Sequence, residues 1–192
     1  PVEAWVRRFH NKGEVCLAPT RELAGQLMAR GVRRVEVVAR GVDTGLFSPA
    51  RHSEALRREW GASDETLVAA VVGRMAPEKN LALAVRAFDA LRERHPDARL
   101  LFVGDGPARA ALQAERPDFI YAGMRSGEDL AAHYASADLF LFPSQTETFG
   151  NVTTEALASG LPVVGFDYAA AAERVRSDEN GWLVPLGDDA GF

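Results

Sequence analysis

Thr66-Leu-Val-Ala-Ala-Val-Val-Gly73-Arg-Met-Ala-Pro-Glu-Lys-Asn80 is the stretch on which the fold turns. Its first half is continuously apolar and strand-sized, the pattern of a strand buried on both faces. Its second half is a loop with a proline and three charges. Beyond it, Leu81, Ala84, Val85, Phe88 and Leu91 recur at helical spacing through Leu81–Arg94. A second apolar block, Leu100–Val103, then reads as the next strand. Strand, helix and strand in that order predict a parallel βαβ unit.

The same alternation continues in both directions. Downstream come a helix from Ala108, a strand at Phe119–Tyr121 and a helix at Asp129–Ser136. A strand at Leu139–Phe142, a helix at Val152–Ser159 and a strand at Pro162–Phe166 follow, then a helix at Ala169–Arg176 and a strand at Trp182–Val184. Upstream, Glu54–Trp60 reads as a helix ending at Gly61, and Gly41–Pro49 is turn-rich and reads as a linker. Before it, strands are expected at Glu14–Ala18 and Val35–Ala39, flanking a helix at Arg21–Arg30 capped by Thr20 and stopped at Gly31. The whole predicts an α/β chain with a doubly wound parallel sheet, in which ligands bind beyond the carboxyl ends of the strands.

Composition narrows the function. The chain has 192 residues, 47% hydrophobic and 26% charged, which fits a globular domain and excludes a disordered or collagen-like one. Its net charge of −5 is uneven: residues 1–40 carry +4 and residues 41–192 carry −9. The shift suggests that the first forty residues belong to a different surface or domain. The acidic remainder lacks the basic footprint of a nucleic-acid binder, so no nucleic-acid partner is expected. A single cysteine, Cys16, excludes a disulfide framework and a multi-cysteine metal site. No apolar run approaches the ~20 residues of a membrane span. No charged-then-apolar leader is visible, so a cytoplasmic location is expected.

The loops after the strands hold the candidate chemistry. Arg74 and Lys79 flank the first; Lys79 is one of only two lysines, with Lys12. Two cations beside a helix start suit a diphosphate. Gly104-Asp-Gly-Pro107 fails the dinucleotide fingerprint because Arg109 stands at the third glycine position, and it reads as a tight turn bringing backbone close to a ligand. The strongest signal is Pro143-Ser-Gln-Thr-Glu147-Thr-Phe-Gly150-Asn-Val-Thr-Thr-Glu155. Glu147 and Glu155 stand eight positions apart around Gly150 and the helix-opening amides of Asn151, Val152 and Thr153. Phosphates at that helix start, with carboxylates accepting from sugar hydroxyls, would suit a sugar diphosphate. The plain alternative is a capping box with surface glutamates.

That string resembles the E-x7-E motif of the retaining glycosyltransferases of family 4, which have the two-domain GT-B fold. Gly41-Val-Asp-Thr-Gly-Leu-Phe-Ser-Pro49 looks like their interdomain G-V-D-x-x-x-F-x-P. Gly73–Asn80 resembles their G-R-x-x-x-x-K loop, Leu101–Pro107 their V-G-D-G-P turn, and Ala137–Ser144 their A-D-x-x-(V/L)-x-P-S segment. The resemblance implies the Rossmann-like C-terminal half of a GT-B enzyme, a hexosyltransferase. Arg74 and Lys79 would neutralise the donor diphosphate, and Glu155 would hold the ribose hydroxyls. Glu147 would bind the transferred sugar beside the backbone of Phe149, Gly150 and Asn151, while the amides of Val152 and Thr153 would meet phosphate. Gly104 would line the site, and Met124 and Arg125 fall beside the expected base position. No Asp-x-Asp pair is present, so the resemblance and that gap together lead to an expected metal-free reaction with no cofactor apart from the substrate nucleotide sugar.

The closest look is to GDP-mannose-dependent α-mannosyltransferases, with UDP-glucose or UDP-sulfoquinovose as alternative donors. Residues 1–40 are expected to be the last strand and helix of an acceptor domain, and 41–192 a donor-binding domain shortened at its C-terminal end. The acceptor, a lipid or carbohydrate, would be held by the acceptor domain. The chain alone is expected to bind a nucleotide sugar and transfer little. Trp5, Val6 and Phe9 predict weak self-association. The basic first forty residues hint at a peripheral seat on the inner face of the plasma membrane. His10, His52, His95 and His133 fall in no matching motif and read as structural or surface. The competing readings are a nucleotide-sugar epimerase, a non-catalytic nucleotide-sugar binding module and a nicotinamide dehydrogenase, the last disfavoured by the failed fingerprint.

Overall fold

The computed structural model of the chain describes residues 2–146 and 150–192. The chain divides into two compact units, Pro1–Gly41 and Val42–Phe192.

The first unit runs helix, strand, helix, strand: α1 (Val2–His10), β1 (Cys16–Ala18), α2 (Arg21–Ala29) and β2 (Val35–Val37). The two strands pair in parallel, Cys16 opposite Val35. Thr20 caps α2 by accepting from the Leu23 amide at 3.2 Å, and Gly31 ends it at φ +84°. Sequence reading found α2 but not α1. Its Val2, Trp5, Val6 and Phe9 stand at i, i+3, i+4 and i+7, and none is buried within the unit. Trp5 stacks on Phe9 at 5.6 Å. The unit thus holds both expected strands and the expected helix, with α1 in addition.

The second unit carries α3 (Glu54–Glu59), β3 (Val68–Val72), α4 (Leu81–Arg94), β4 (Arg99–Val103), α5 (Arg109–Glu115), β5 (Ile120–Gly123) and α6 (Gly127–Ala135). β6 (Leu139–Phe142), α7 (Asn151–Ala158), β7 (Val163–Phe166), α8 (Ala169–Arg174) and β8 (Gly181–Val184) complete it. The strands form one parallel sheet in the order β5-β4-β3-β6-β7-β8. This is the doubly wound order, and its direction reverses between β3 and β6. The apolar run expected at 66–73 is used on both faces. Val68 and Ala70 pack with Tyr134 of α6 and Ala156 of α7, whereas Ala69 and Val71 pack with Leu81, Ala84 and Phe88 of α4. The strand is shorter than expected because Thr66 Oγ1 accepts from the Ser63 amide in a turn, and Gly73 turns away at φ +140°.

The expected linker is part of the second unit. Asp43 Oδ1 accepts from the amides of Gly45 and Leu46 at 2.9 and 3.2 Å, curling the chain so that Phe47 enters the core against Tyr134, 5.9 Å between rings. Gly160 leaves room for Pro49: a β-carbon there would lie 2.9 Å from the proline ring. At the amino ends of β3 and β6, buried Arg57 donates to the carbonyls of Ser136, Ser63 and Thr66 and to Asp138. Asp138 Oδ2 also accepts from the Val68 amide at 2.8 Å. One guanidinium therefore ties α3 to both central strands. His133 is likewise structural, buried against Trp60 with Nδ1 2.7 Å from the Asp129 carbonyl.

Candidate active site

The carboxyl ends of β3, β4 and β5 open into a cleft of about 530 Å³, lined by Gly73, Arg74, Gly104, Asp105, Met124, Arg125, Val152 and Glu155 among others. That volume lies within the range of small-molecule sites. A narrow apolar notch shares Gly73 and Arg74 with it and is walled by Lys79, Phe142, Pro143 and Ser144. The notch sits at the switch point between β3 and β6. Two neighbouring hollows thus gather Arg74, Lys79, Gly104, Met124, Arg125, Val152 and Glu155 from three loops and one helix. Glu147 and Phe149 lie outside the described residues.

The near wall is stitched backbone. The Gly73 amide donates to Val103, Met75 to Asp105, Ala108 to Met75 and Gly104 to Gly123, at 2.8–3.0 Å. Gly104 is at φ +136°, and a β-carbon there would lie 2.0 Å from the Gly73 carbonyl oxygen. At Gly106 it would lie 2.4 Å from that of Met75. The turn makes a close approach to the neighbouring loop. Gly104 still lines the cleft, but its missing side chain serves loop packing. Asp105 accepts from the Gly106 amide and from Arg109, which hold its carboxyl below the usual range. In the sequence this aspartate stands out only as part of the turn.

The basic side chains differ in their ties. Arg74 is 69% exposed and touches Glu78 at 3.8 Å, so most of its donors face water. Lys79 ends a short 3-10 turn, Pro77–Lys79, just before α4. Arg125 is held: it donates to the Ala122 carbonyl at 2.9 Å and to Asp129 at 3.0 Å. Met124 beside it is 74% exposed, an apolar surface at the cleft rim.

The far wall is α7. Gly150 precedes it at φ +60°, and a β-carbon there would strike Ala170 at 2.3 Å. Among the described residues no side chain caps this helix, so they form no capping box. One amide of the expected ligand contacts, that of Thr153, also bonds within the helix. Thr153 is fully buried, and its amide donates to the Gly150 carbonyl at 3.1 Å, closing the first turn. Asn151 and Val152 are therefore the first-turn amides ahead of that bond, the positions helices leave unsatisfied. Asn151 is exposed and Val152 lines the cleft.

Glu155, one turn on, is half-buried, and burial pushes its carboxyl above the ordinary value. Tyr134 opposes that shift by donating from Oη to Glu155 Oε2 at 3.0 Å. This buried tyrosine of α6, 21 residues away, was missed. Nothing local marks it, because an aromatic in an amphipathic helix reads as core. Among the described residues, no group of three or more His, Cys, Asp or Glu is placed to hold a metal ion.

With this geometry in view, the chain's likeness to known proteins becomes specific. A family model described as "Glycosyl transferases group 1" matches residues 66–192. A GDP-mannose-dependent alpha-mannosyltransferase of Mycobacterium tuberculosis is 39% identical over 187 residues, covering 96% of this chain and 47% of that protein. One from Corynebacterium glutamicum is 37% identical, covering 96% and 43%. A sulfoquinovosyl transferase of Arabidopsis thaliana is 32% identical, covering 94% and 36%. The chain thus spans less than half the length of these curated relatives. Among solved structures, an Anabaena protein, HepE, crystallised with UDP and glucose, superposes with a TM-score of 0.78 at 24% identity, covering 97% of this chain and 54% of that one. That level of identity speaks to the fold.

Proposed function

The chain belongs to the group 1 glycosyltransferases, and we propose that it is the donor-binding part of a retaining, metal-independent hexosyltransferase. The observation that carries this is the cleft at the carboxyl edge of the sheet, where Arg74, the head of α7 and Glu155 face one space. A nucleoside diphosphate matches that arrangement in order. Its phosphates would meet Arg74, Lys79 and the first amides of α7, its ribose Glu155, and its base the Met124–Arg125 rim. Glu147, Phe149 and the backbone at Gly150–Asn151 complete the proposal on the sugar side.

In the reaction, the anomeric C–O bond breaks and its electron pair leaves with the nucleoside diphosphate. An acceptor hydroxyl forms the new bond to that carbon, and its proton passes to the departing phosphate oxygen. Charge grows on the leaving phosphate oxygens, so cations and helix-end amides act more strongly on the transition state than on the bound donor. Arg74 and Lys79 carry this role in the proposal. No further cofactor is required.

Mannose is the favoured hexose, because the relatives at 37–39% identity are named as GDP-mannose-dependent mannosyltransferases. UDP-sulfoquinovose and UDP-glucose are the second reading, favoured by the sulfoquinovosyl transferase relative. The acceptor, a lipid or carbohydrate, would be held by a preceding domain, of which residues 1–40 are the last portion, and the chain alone would transfer little. We place the longer enzyme in the cytoplasm, seated peripherally on the membrane. The exposed Trp5 and Phe9 support weak self-association of the chain. Among the described residues, no helix is long and apolar enough to cross a membrane.

Calorimetric titration of the chain with GDP, UDP and ADP tests the reading. GDP binding above the other two supports mannosyl transfer. UDP binding without GDP moves the assignment to the second reading, and no binding of any diphosphate overturns the donor-site proposal.

A further inference from the structure

We propose that Tyr134 is a positioning residue for nucleotide recognition: its hydroxyl fixes the Glu155 carboxylate so that one oxygen stays turned into the cleft as an acceptor for the vicinal diol of a ribose. This rests on the donor-site reading above. Tyr134 is wholly buried on α6, with Phe47 and Phe140 packed edge-on at 5.9 Å each. A phenol hydroxyl in such surroundings needs a partner. Its partner is Glu155 Oε2 at 3.0 Å, on the neighbouring helix. Among the described residues no other hydrogen bond reaches the Glu155 side chain, although that side chain lines the cleft.

The geometry divides the carboxylate's labour. An ionised carboxylate offers about four lone-pair sites on two oxygens. Oε2 is turned to the core and held by a rigid aromatic, with Phe47 and Phe140 against its ring. Oε1 is left to the cleft. Without the phenol, the carboxyl group could rotate and, half-buried, would more readily take up a proton. A diol needs a fixed, charged acceptor, because a charge-assisted bond is about twice as strong as a neutral one and depends on direction. Tyr134 never reaches the cleft; it acts only through Glu155.

The test is the chain's preference for GDP over 2′,3′-dideoxy-GDP, measured by calorimetry in wild type, Y134F and E155A. The expected result is that Y134F loses about tenfold in GDP affinity, the size of one hydrogen bond to a charged group. Dideoxy-GDP binding should stay within about twofold of wild type, and Y134F in the E155A background should change nothing further. A merely structural tyrosine would weaken both ligands alike, and that result overturns the proposal, as does an unchanged GDP affinity. If Y134F does not fold, E155Q carries the test. Tyr134 then holds the amide oxygen and turns the NH2 to the cleft, so the ribose preference should fall to that of E155A. An E155Q that keeps its preference contradicts the proposal. Wild-type chain that binds neither ligand removes the donor-site reading and this proposal with it. Wild-type binding with an indifferent Y134F removes this proposal alone.

Discussion

Arg57 and Arg74 stand at opposite ends of the sheet's central strands. At the amino end, Arg57 is 3% exposed and donates to three carbonyls and a carboxylate. At the carboxyl end, Arg74 is 69% exposed, with one long contact to Glu78. The first has both terminal nitrogens bonded within the fold, though its buried Nε has no partner, and the second is left for something else. The comparison teaches that in this sheet the arginine at one end closes the structure, while Arg74 at the other keeps most of its donors available to a ligand. The strands impose this asymmetry, because their carboxyl ends feed loops toward helix N-termini.

Breaking the closed end should have the largest effect. Arg57→Leu removes the donor to four acceptors and is expected to cost about 3 kcal/mol of unfolding free energy, read from urea denaturation. The acceptors left behind dominate that figure, since Asp138 is itself part-exposed and can be hydrated. A loss below about 1 kcal/mol would show that the clamp is ornamental. Gly104→Ala probes the seam between two loops at the carboxyl end. Its β-carbon would overlap the Gly73 carbonyl at positive φ, so about 2 kcal/mol of stability should go, together with diphosphate affinity as the Arg74 loop shifts. Unchanged stability would mean that the two loops are not held as described.

At the open end the pattern inverts. Arg74→Ala should leave stability within about 0.5 kcal/mol, and Lys79→Ala is its companion in the binding test. Each should lose about 1.5–3 kcal/mol of diphosphate affinity by calorimetry, as for a charge-assisted contact. Equal binding by wild type and variant would take that residue out of the site.

The smallest effect is one of pH. Burial raises Glu155's carboxyl in the folded state. The folded chain therefore takes up this proton at a higher pH than the unfolded chain, and this group's effect on stability is more favourable at low pH, fading as pH rises past the raised value. Ligand binding has the opposite sign. An ionised Glu155 accepts from the ribose, so the preference for GDP over dideoxy-GDP should fall on acidification, starting above the ordinary carboxyl range of about 4.3. Taking the ratio cancels protonation of the phosphates. A ratio flat from pH 7 to pH 4 would remove the carboxylate from the ribose contact.

The sheet was legible because its signals are local. The apolar blocks at 66–73 and 139–142 and the spacing along Leu81–Arg94 each fix an element within a few residues. The cleft residues were legible because ligands bind where strands end, so Arg74, Lys79 and Glu155 could be found by position. What escaped the sequence is non-local. Tyr134 meets Glu155 across 21 residues, and Arg57 reaches Asp138 across 81. The close approach of Gly104 is to Gly73, in the loop of the preceding strand. Each looks ordinary in its own neighbourhood: a core aromatic, a surface arginine, a turn glycine. The helix α1 escaped for another reason. Its apolar stripe is short, and nothing in its own unit buries it.

A crystal structure of the chain with GDP bound tests the central claim most directly. It should show the diphosphate between Arg74, Lys79 and the first amides of α7, with the ribose hydroxyls on Glu155. A nucleotide seated elsewhere, with Arg74 still turned to solvent, would contradict it.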